Sequence, residues 1–119
     1  MATTLGSGDH VYEELEDWAQ LPEGWTFQEV PDVAVDSNDR VYLFNRSEHP
    51  MMVFEPDGSF VTSWGEDLFV RPHGLTPGPD ESLYCVDDNG HCVRKCSLDG
   101  EVLMTIGTPS SGRTLSALA

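Results

Sequence analysis

Arg46 and His73 are among the side chains of this sequence that can bind substrates or metals. An imidazole can hold zinc or transfer a proton, and a guanidinium can orient a carboxylate through two parallel hydrogen bonds. A zinc-bound oxygen beside a guanidinium could act on a carboxylate-bearing molecule. Neither residue is specific alone, because a single His is more often a loop side chain bonded to a backbone carbonyl. An Arg there more often pairs with an acid, here Glu48 or Asp88.

The three cysteines, Cys85, Cys92 and Cys96, are an odd number, so disulfide pairing would leave one over. Cys92 and Cys96 lie on one predicted strand, about 13 Å apart, which is too far for a disulfide. We expect small buried or half-buried side chains in a reducing compartment. Metal binding and a cross-strand bond from Cys85 remain alternatives, although a single CxxxC spacing is weak evidence for zinc.

Other site motifs are incomplete. Residues 36–39 begin like a calcium-binding loop, but Val41 and Ser47 stand where such a loop needs Gly and an acid. The sequence has no phosphate-cradling loop, dinucleotide fingerprint or nucleophile elbow. Local motifs therefore do not assign a complete site.

The fold is indicated by an internal repeat with an offset of 42 residues, which lays residues 71–107 over residues 29–65 without a gap. Several landmarks agree on this register: Gly107 with Gly65, Asp99-Gly100 with Asp57-Gly58, His91 with His49, and Tyr84 with Tyr42. This period, with short β-type runs and Gly-containing turns, is typical of propeller blades, each a four-stranded sheet. We expect an all-β chain.

Turn residues divide each copy into four strands. The first blade, residues 27–65, has predicted strands at 32–35, 41–44, 51–54 and 60–64; the second, residues 66–107, has them at 74–76, 82–86, 92–97 and 102–106. This alternation places Arg46 and His73 at one rim and the Asp-Gly turns at the other. His49 and His91 share a repeat position, which favours structural roles. Asn89-Gly90 predicts a type I′ turn.

The predicted buried side chains of the blades are Val35, Val41, Leu43, Phe54 and Trp64. Two blades cannot close a propeller, which takes about four to eight, so the sequence predicts an incomplete propeller segment. Its open apolar faces favour self-association.

The segments outside the repeat are less regular. Residues 1–26 form an N-terminal segment in which residues 1–9 look frayed. Residues 11–21 fit an amphipathic helix or a strand, and we favour a strand through Val11 and Tyr12 that closes the last blade. Residues 108–119 carry no repeat landmark and are interpreted as a tail.

The formal net charge of −15 disfavours nucleic-acid and membrane-surface partners, because both present negative charge. The first Lys or Arg is Arg40, and no apolar run approaches the length of a spanning helix. We therefore expect no export signal and a cytoplasmic location.

The repeat resembles NHL-type β-propeller repeats in its blade phase, its Asp-Gly before the last strand and its Trp-Gly or Ile-Gly at the strand end. Residues 33–36, 41–49 and 68–75 are further similar to the first blades of the peptidyl-α-hydroxyglycine α-amidating lyase family, which cleaves a peptidyl-α-hydroxyglycine to a peptide amide and glyoxylate. The likeness covers about residues 27–107.

This resemblance implies a six-bladed propeller with zinc held by three His, one of which matches His73. It implies that Arg46 acts on the substrate and that the backbone carbonyls of Val33 and Leu75 help to hold calcium. The other zinc ligands, a catalytic Tyr and a calcium-binding carboxylate would belong to later blades. A complete relative would take a small or peptide-like substrate. The alternative is a non-catalytic NHL propeller that serves as a binding or scaffolding module.

Overall fold

The computed structural model describes residues 3–109, and all its regular elements are strands. The ten strands are β1 (Thr4–Ser7), β2 (His10–Glu13), β3 (Asp32–Val35), β4 (Val41–Phe44), β5 (Met51–Phe54), β6 (Phe60–Trp64), β7 (Pro72–Pro77), β8 (Ser82–Asp87), β9 (Cys92–Ser97) and β10 (Val102–Gly107). Strands β3–β6 form one antiparallel four-stranded sheet, called blade 1, and β7–β10 form a second, called blade 2. The all-β propeller-blade prediction is confirmed.

Polar turn residues end the strands of blade 1. The Asp36 carboxylate accepts hydrogen bonds from the backbone N–H groups of Asn38 and Arg40, at 2.8 and 3.0 Å, and so closes the turn between β3 and β4. Gly58 has a φ of +91° between β5 and β6, a conformation that costs glycine little. These turns keep each strand short and bring its neighbour back antiparallel.

The two blades pack face to face, and the inner strands β3 and β7 lie next to each other. Side chains that alternate along the strands fill the space between the sheets: Ala34, Tyr42, Phe44, Met51, Val53 and Trp64 from blade 1, and Leu75, Leu83, Cys85 and Cys96 from blade 2. The cysteines are free and buried, as predicted. Burial of this apolar set is the main stabilising contribution between the blades.

The prediction of buried residues is only partly correct. Phe54 and Trp64 are buried, at 0% and 8% exposure. Val41 and Leu43 are half-buried, and Val35 is 50% exposed, so its predicted burial is wrong. The physical reason is the alternation of side chains along β3 and β4. Val35, Val41 and Leu43 lie on the face of blade 1 that points away from blade 2, where no further sheet of the described chain covers them.

The N-terminal segment contains a β-hairpin, β1–β2, in which Leu5 lies opposite Tyr12. A strand through Val11 and Tyr12 is therefore present, but it pairs with β1 in a sheet of its own, and its closing of a last blade stays a prediction. The frayed terminus is wrong for Thr4–Ser7. Backbone pairing with β2 orders these residues. The predicted tail at residues 108–119 lies mostly outside the described residues. No helix in the described part of the chain could cross a membrane.

The turn between β8 and β9 differs from the type I′ prediction. A type I′ turn needs a positive φ at both central residues, but here His91 has the positive φ, at 57°, and Asn89 and Gly90 do not. The cause is Asp87, whose buried carboxylate accepts the Gly90 N–H at 2.8 Å. A side-chain contact therefore sets the backbone of this turn.

Candidate functional site

Arg46 lies in the loop after β4 and joins that loop to the start of blade 2. Its Nε donates a 2.9 Å hydrogen bond to the carbonyl of Pro72, and its guanidinium lies 3.3 Å from a carboxylate oxygen of Glu29. The Arg46 side chain is only 15% exposed, whereas Glu29 is largely exposed. The structure thus pairs Arg46 with Glu29, not with Glu48 or Asp88 as the sequence alternative proposed. The guanidinium is fixed at the rim where the two blades meet.

A second ion pair occupies the corresponding position in blade 2 with its charges exchanged. Arg71 stands 42 residues after Glu29, and Asp88 stands 42 after Arg46. The Arg71 guanidinium lies 3.4 Å from the Asp88 carboxylate. The backbone N–H of Asp88 also donates to the Arg71 carbonyl, as that of Arg46 donates to Glu29. Both copies of the repeat therefore have an ion pair at this rim. In blade 1 the Arg follows β4, whereas in blade 2 the Arg precedes β7.

His73 follows Pro72 at the start of β7, next to the carbonyl that Arg46 binds. The side chain is exposed, and its ring makes no hydrogen bond to another described residue. The structure therefore brings Arg46 and His73 to one rim, because Arg46 bonds to the carbonyl of the residue directly before His73. Within the described residues, the His73 ring does not bond to a backbone carbonyl, which was the alternative considered from the sequence.

The described residues do not complete a zinc site. They contain no group of three or more His, Cys, Asp or Glu side chains placed to hold a metal. The blade 1 position that corresponds to His73 is Pro31, which has no metal-binding side chain. Since a catalytic zinc normally has three protein ligands, His73 supplies at most one of them within residues 3–109.

The residues proposed for calcium lie on neighbouring inner strands, Val33 on β3 and Leu75 on β7. The Asp32 carboxylate lies between them, because Oδ1 accepts the Val33 N–H and Oδ2 accepts the Leu75 N–H, both at 2.8 Å. Carbonyl and carboxylate oxygens are the donors that calcium prefers. Asp32 was not predicted from the sequence, and its structural effect is to tie β3 to β7.

A cleft of about 270 Å³ lies on the outer side of Arg46, between the chain before β3 and the loop after β4. The rings of Trp25 and His49 stack in parallel at its wall, with centroids 3.4 Å apart. His49 Nδ1 lies 2.9 Å from the Glu66 carboxylate, which also accepts a hydrogen bond from Ser63. The prediction of a structural role for His49 agrees with these contacts.

Glu66 has a perturbed ionisation in this arrangement. Burial acts to raise its pKa, but hydrogen bonds from His49, from its own backbone N–H and from Ser63 outweigh burial and hold the pKa below its ordinary value. A carboxylate held in its charged form fixes the His49 ring against Trp25. The Trp25, His49 and Glu66 side chains of the cleft wall thus hold one another in place.

Sequence reasoning missed Asp32, Glu29 and Trp25. The repeat offers a partial signal for Glu29, because its counterpart Arg71 is the opposite charge at the same position. Asp32 corresponds to Gly74, and Trp25 has no counterpart in the aligned copy, so the repeat alone cannot reveal either residue.

Comparison with known proteins supports the resemblance to NHL repeats. No family model matches the chain. The chain is 33% identical over 115 residues to NHL repeat-containing protein 3 of Homo sapiens, which covers 85% of this chain and 32% of that protein. The chain is a relative of NHL-repeat proteins.

Two other known proteins are also similar in sequence to this chain. NHL repeat-containing protein 3 of Mus musculus is 33% identical over 93 residues, covering 69% of this chain and 26% of that protein. Peptidyl-alpha-hydroxyglycine alpha-amidating lyase 1 of Drosophila melanogaster is 34% identical over 73 residues, covering 56% of the chain and 14% of that protein. This chain spans about a third or less of the length of these relatives.

Proposed function

We propose that this chain provides two adjacent blades of a six-bladed NHL propeller similar to the α-amidating lyases, and that Arg46 and His73 form one part of its substrate-binding rim. The observation that carries the proposal is the 2.9 Å hydrogen bond from Arg46 to the Pro72 carbonyl, which fixes the guanidinium beside His73. The similarity to the Drosophila amidating lyase adds support.

In this proposal Arg46 orients the carboxylate of a hydroxyglycine-type substrate through its guanidinium N–H groups that are not bonded to Pro72. His73 contributes one zinc ligand, and the carbonyls of Val33 and Leu75 contribute to a calcium site. The further ligands would come from residues outside the described part. By itself the chain would therefore bind zinc weakly and release no glyoxylate, because one ligand does not make a catalytic site.

A second candidate is a non-catalytic NHL propeller that binds another molecule at this rim. The exchanged ion pairs favour it, because an Arg paired with an acid recurs at this rim in both blades, as expected for a structural contact. In this case Arg46 stabilises the rim and does not contact a substrate. A cytoplasmic location stays a prediction for either candidate, and the three free cysteines accord with a reducing compartment.

Glyoxylate release from a peptide ending in α-hydroxyglycine, measured with zinc present, tests the catalytic proposal. We expect release by the chain to equal the spontaneous rate. Turnover by wild type that disappears in His73→Ala would show that the chain completes its own site and would refute the proposal that the site is only partial.

Zinc binding separates the two candidates without depending on activity. We expect His73→Ala to weaken zinc binding in a competition assay at least threefold, while His91→Ala, a matched change at another rim loop, leaves it unaltered. If His73→Ala and wild type bind zinc equally, His73 is not a ligand and the non-catalytic candidate is preferred.

A further inference from the structure

Trp64, at the end of β6 in blade 1, packs on the turn between β9 and β10 of blade 2. Its indole N–H donates a 3.1 Å hydrogen bond to the carbonyl of Leu98. Its ring lies over Gly100, where an added Cβ would come within 2.6 Å of the ring atoms. We call the surface formed by Leu98, Asp99 and Gly100 the tryptophan seat of blade 2.

Trp18 occupies the corresponding seat of blade 1. Its indole N–H donates a 3.0 Å hydrogen bond to the carbonyl of Pro56, which stands 42 residues before Leu98. A Cβ at Gly58, the counterpart of Gly100, would overlap the Trp18 carbonyl. The two glycines have nearly the same φ, +91° and +94°. Trp18 therefore makes on blade 1 the same indole hydrogen bond that Trp64 makes on blade 2, while its backbone carbonyl takes the place of the Trp64 ring next to the glycine.

The N-terminal segment holds this position through more than one contact. The Gln20 N–H donates a 2.9 Å hydrogen bond to the Gly58 carbonyl, and the Trp18 ring packs at 5.7 Å from the ring of Phe54. Trp18 precedes Trp64 by 46 positions and not by 42, so it is not a member of the aligned repeat. Residues 18–20, which we call the plug, stand in for the outer strand of a preceding blade.

The two open faces of the molecule are complementary by position in the repeat. Four residues on the open face of blade 2 correspond to the residues through which blade 1 packs on blade 2: Tyr84, Val86, Val93 and Ile106. Four residues on the open face of blade 1 correspond to the residues of blade 2 that face blade 1: Val33, Val35, Val41 and Leu43. Blade 2 of one copy could therefore pack on blade 1 of a second copy, head to tail.

The plug blocks part of that contact. Ile106 corresponds to Trp64, so in a head-to-tail pair it would need the seat that Trp18 already fills. Lys95 stands where blade 1 has the buried Val53, and its ammonium bonds to Asp80 at 2.7 Å. The second-copy contact should thus be weaker than the contact between the blades of one chain.

We propose that the plug limits head-to-tail association of this chain with a second copy, and that emptying the Trp18 seat exposes the binding surface. The occupant of the exposed surface is the open face of blade 2 of the second copy. Association through open blade faces, expected from the sequence, then depends on whether Trp18 is in place. A heterologous contact of this kind can build rings or open chains.

Sedimentation of Trp18→Ala against wild type tests the proposal. Wild type should sediment near its monomer mass of 13.1 kDa. At the same concentration Trp18→Ala should show at least a twofold higher weight-average mass. Adding Ile106→Asp, at a position that is 51% exposed in the single chain, should return Trp18→Ala to the monomer mass. Trp25→Ala is the matched control, because it removes an indole from the same segment and leaves the seat filled.

Two results would overturn the proposal. One is a Trp18→Ala protein, or the milder Trp18→Leu, that remains at the wild-type mass. The other is association of these variants that Ile106→Asp does not reduce, which is how exposed or unfolded chains would aggregate without using blade 2. Addition of a peptide with the sequence of residues 14–24 should reverse specific association and should leave general aggregation unaffected.

Discussion

Replacing Asp87 with Ala tests how much stability one buried carboxylate gives to blade 2. Asp87 is 1% exposed and accepts three backbone hydrogen bonds at 2.8 to 2.9 Å, from Val70, Arg71 and Gly90. Leaving the buried Gly90 N–H unsatisfied costs about 1–3 kcal/mol, and the two half-buried bonds add about 1 kcal/mol each. Arg94, 3.6 Å away and largely buried, also loses its carboxylate partner. We expect a loss of about 4 kcal/mol.

Urea unfolding followed by tryptophan fluorescence measures this loss. With a denaturant dependence of about 2 kcal/mol per molar, the midpoint should fall by about 2 M. Asp99→Asn, a change at an exposed turn of the same blade, should alter stability by less than about 0.5 kcal/mol. An Asp87→Ala midpoint as close to wild type as that of Asp99→Asn would refute the role given to the carboxylate.

A double-mutant cycle sharpens the same test. A Cβ on Gly90 would overlap the Asp87 carboxylate, so Gly90→Ala should destabilise wild type. In an Asp87→Ala background the overlap is gone, and Gly90→Ala should cost much less. Equal costs of Gly90→Ala in the two backgrounds would show that the carboxylate does not set this turn.

Three further predictions concern ionisation and access. Burial and a hydrogen bond to Asp36 raise the pKa of Tyr42 above its ordinary 10.0. The stabilising contribution of Tyr42 is therefore complete below pH 10 and is lost as the pH rises further. The tyrosinate absorbance of Tyr42, identified by its loss in Tyr42→Phe, should appear only when the protein unfolds. The lowered pKa of Glu66 means that its stabilising contribution is complete above pH 4.5 and is lost as the pH falls through the lowered value. The stability difference between wild type and Glu66→Gln should therefore shrink only below pH 4.5, and shrinkage near neutral pH would contradict it. A thiol reagent should label no cysteine of the native chain and three after denaturation, since all are buried: Cys85, Cys92 and Cys96.

The strands could be predicted because each apolar run is bounded by turn residues and occurs twice in one register. The structure reproduces β3 to β6 at the predicted bounds. Burial was less predictable, because Val35 and Phe54 lie on the same face of blade 1 and differ only in what covers them. The N-terminal segment covers Phe54 through Trp18 and Phe27, and nothing in the described chain covers Val35. A local pattern cannot contain this information.

Part of the candidate site was also predictable. Strand direction alone placed Arg46 and His73 at one rim, and the Arg46 contact with Pro72 agrees with it. Pairing of Arg46 with Glu29 was only partly predictable from the opposite charge of Arg71 at the matching repeat position, because it also depends on how the chain before β3 folds back over the loop. Asn45 and Asp87 could have been noticed, since a polar residue ends an apolar strand at the same repeat position, and both are buried.

The position of Trp18 has a consequence for fragments of this protein. A fragment that begins at residue 27 keeps all four strands of blade 1 but loses the Trp18 indole that packs on Phe54, so the ring of Phe54 would face water on one side. A fragment that begins near residue 14 keeps that contact and loses only the exposed β1–β2 hairpin. Limited proteolysis should accordingly cut between the hairpin and Trp18 and leave a resistant product that starts well before the first strand of the blade.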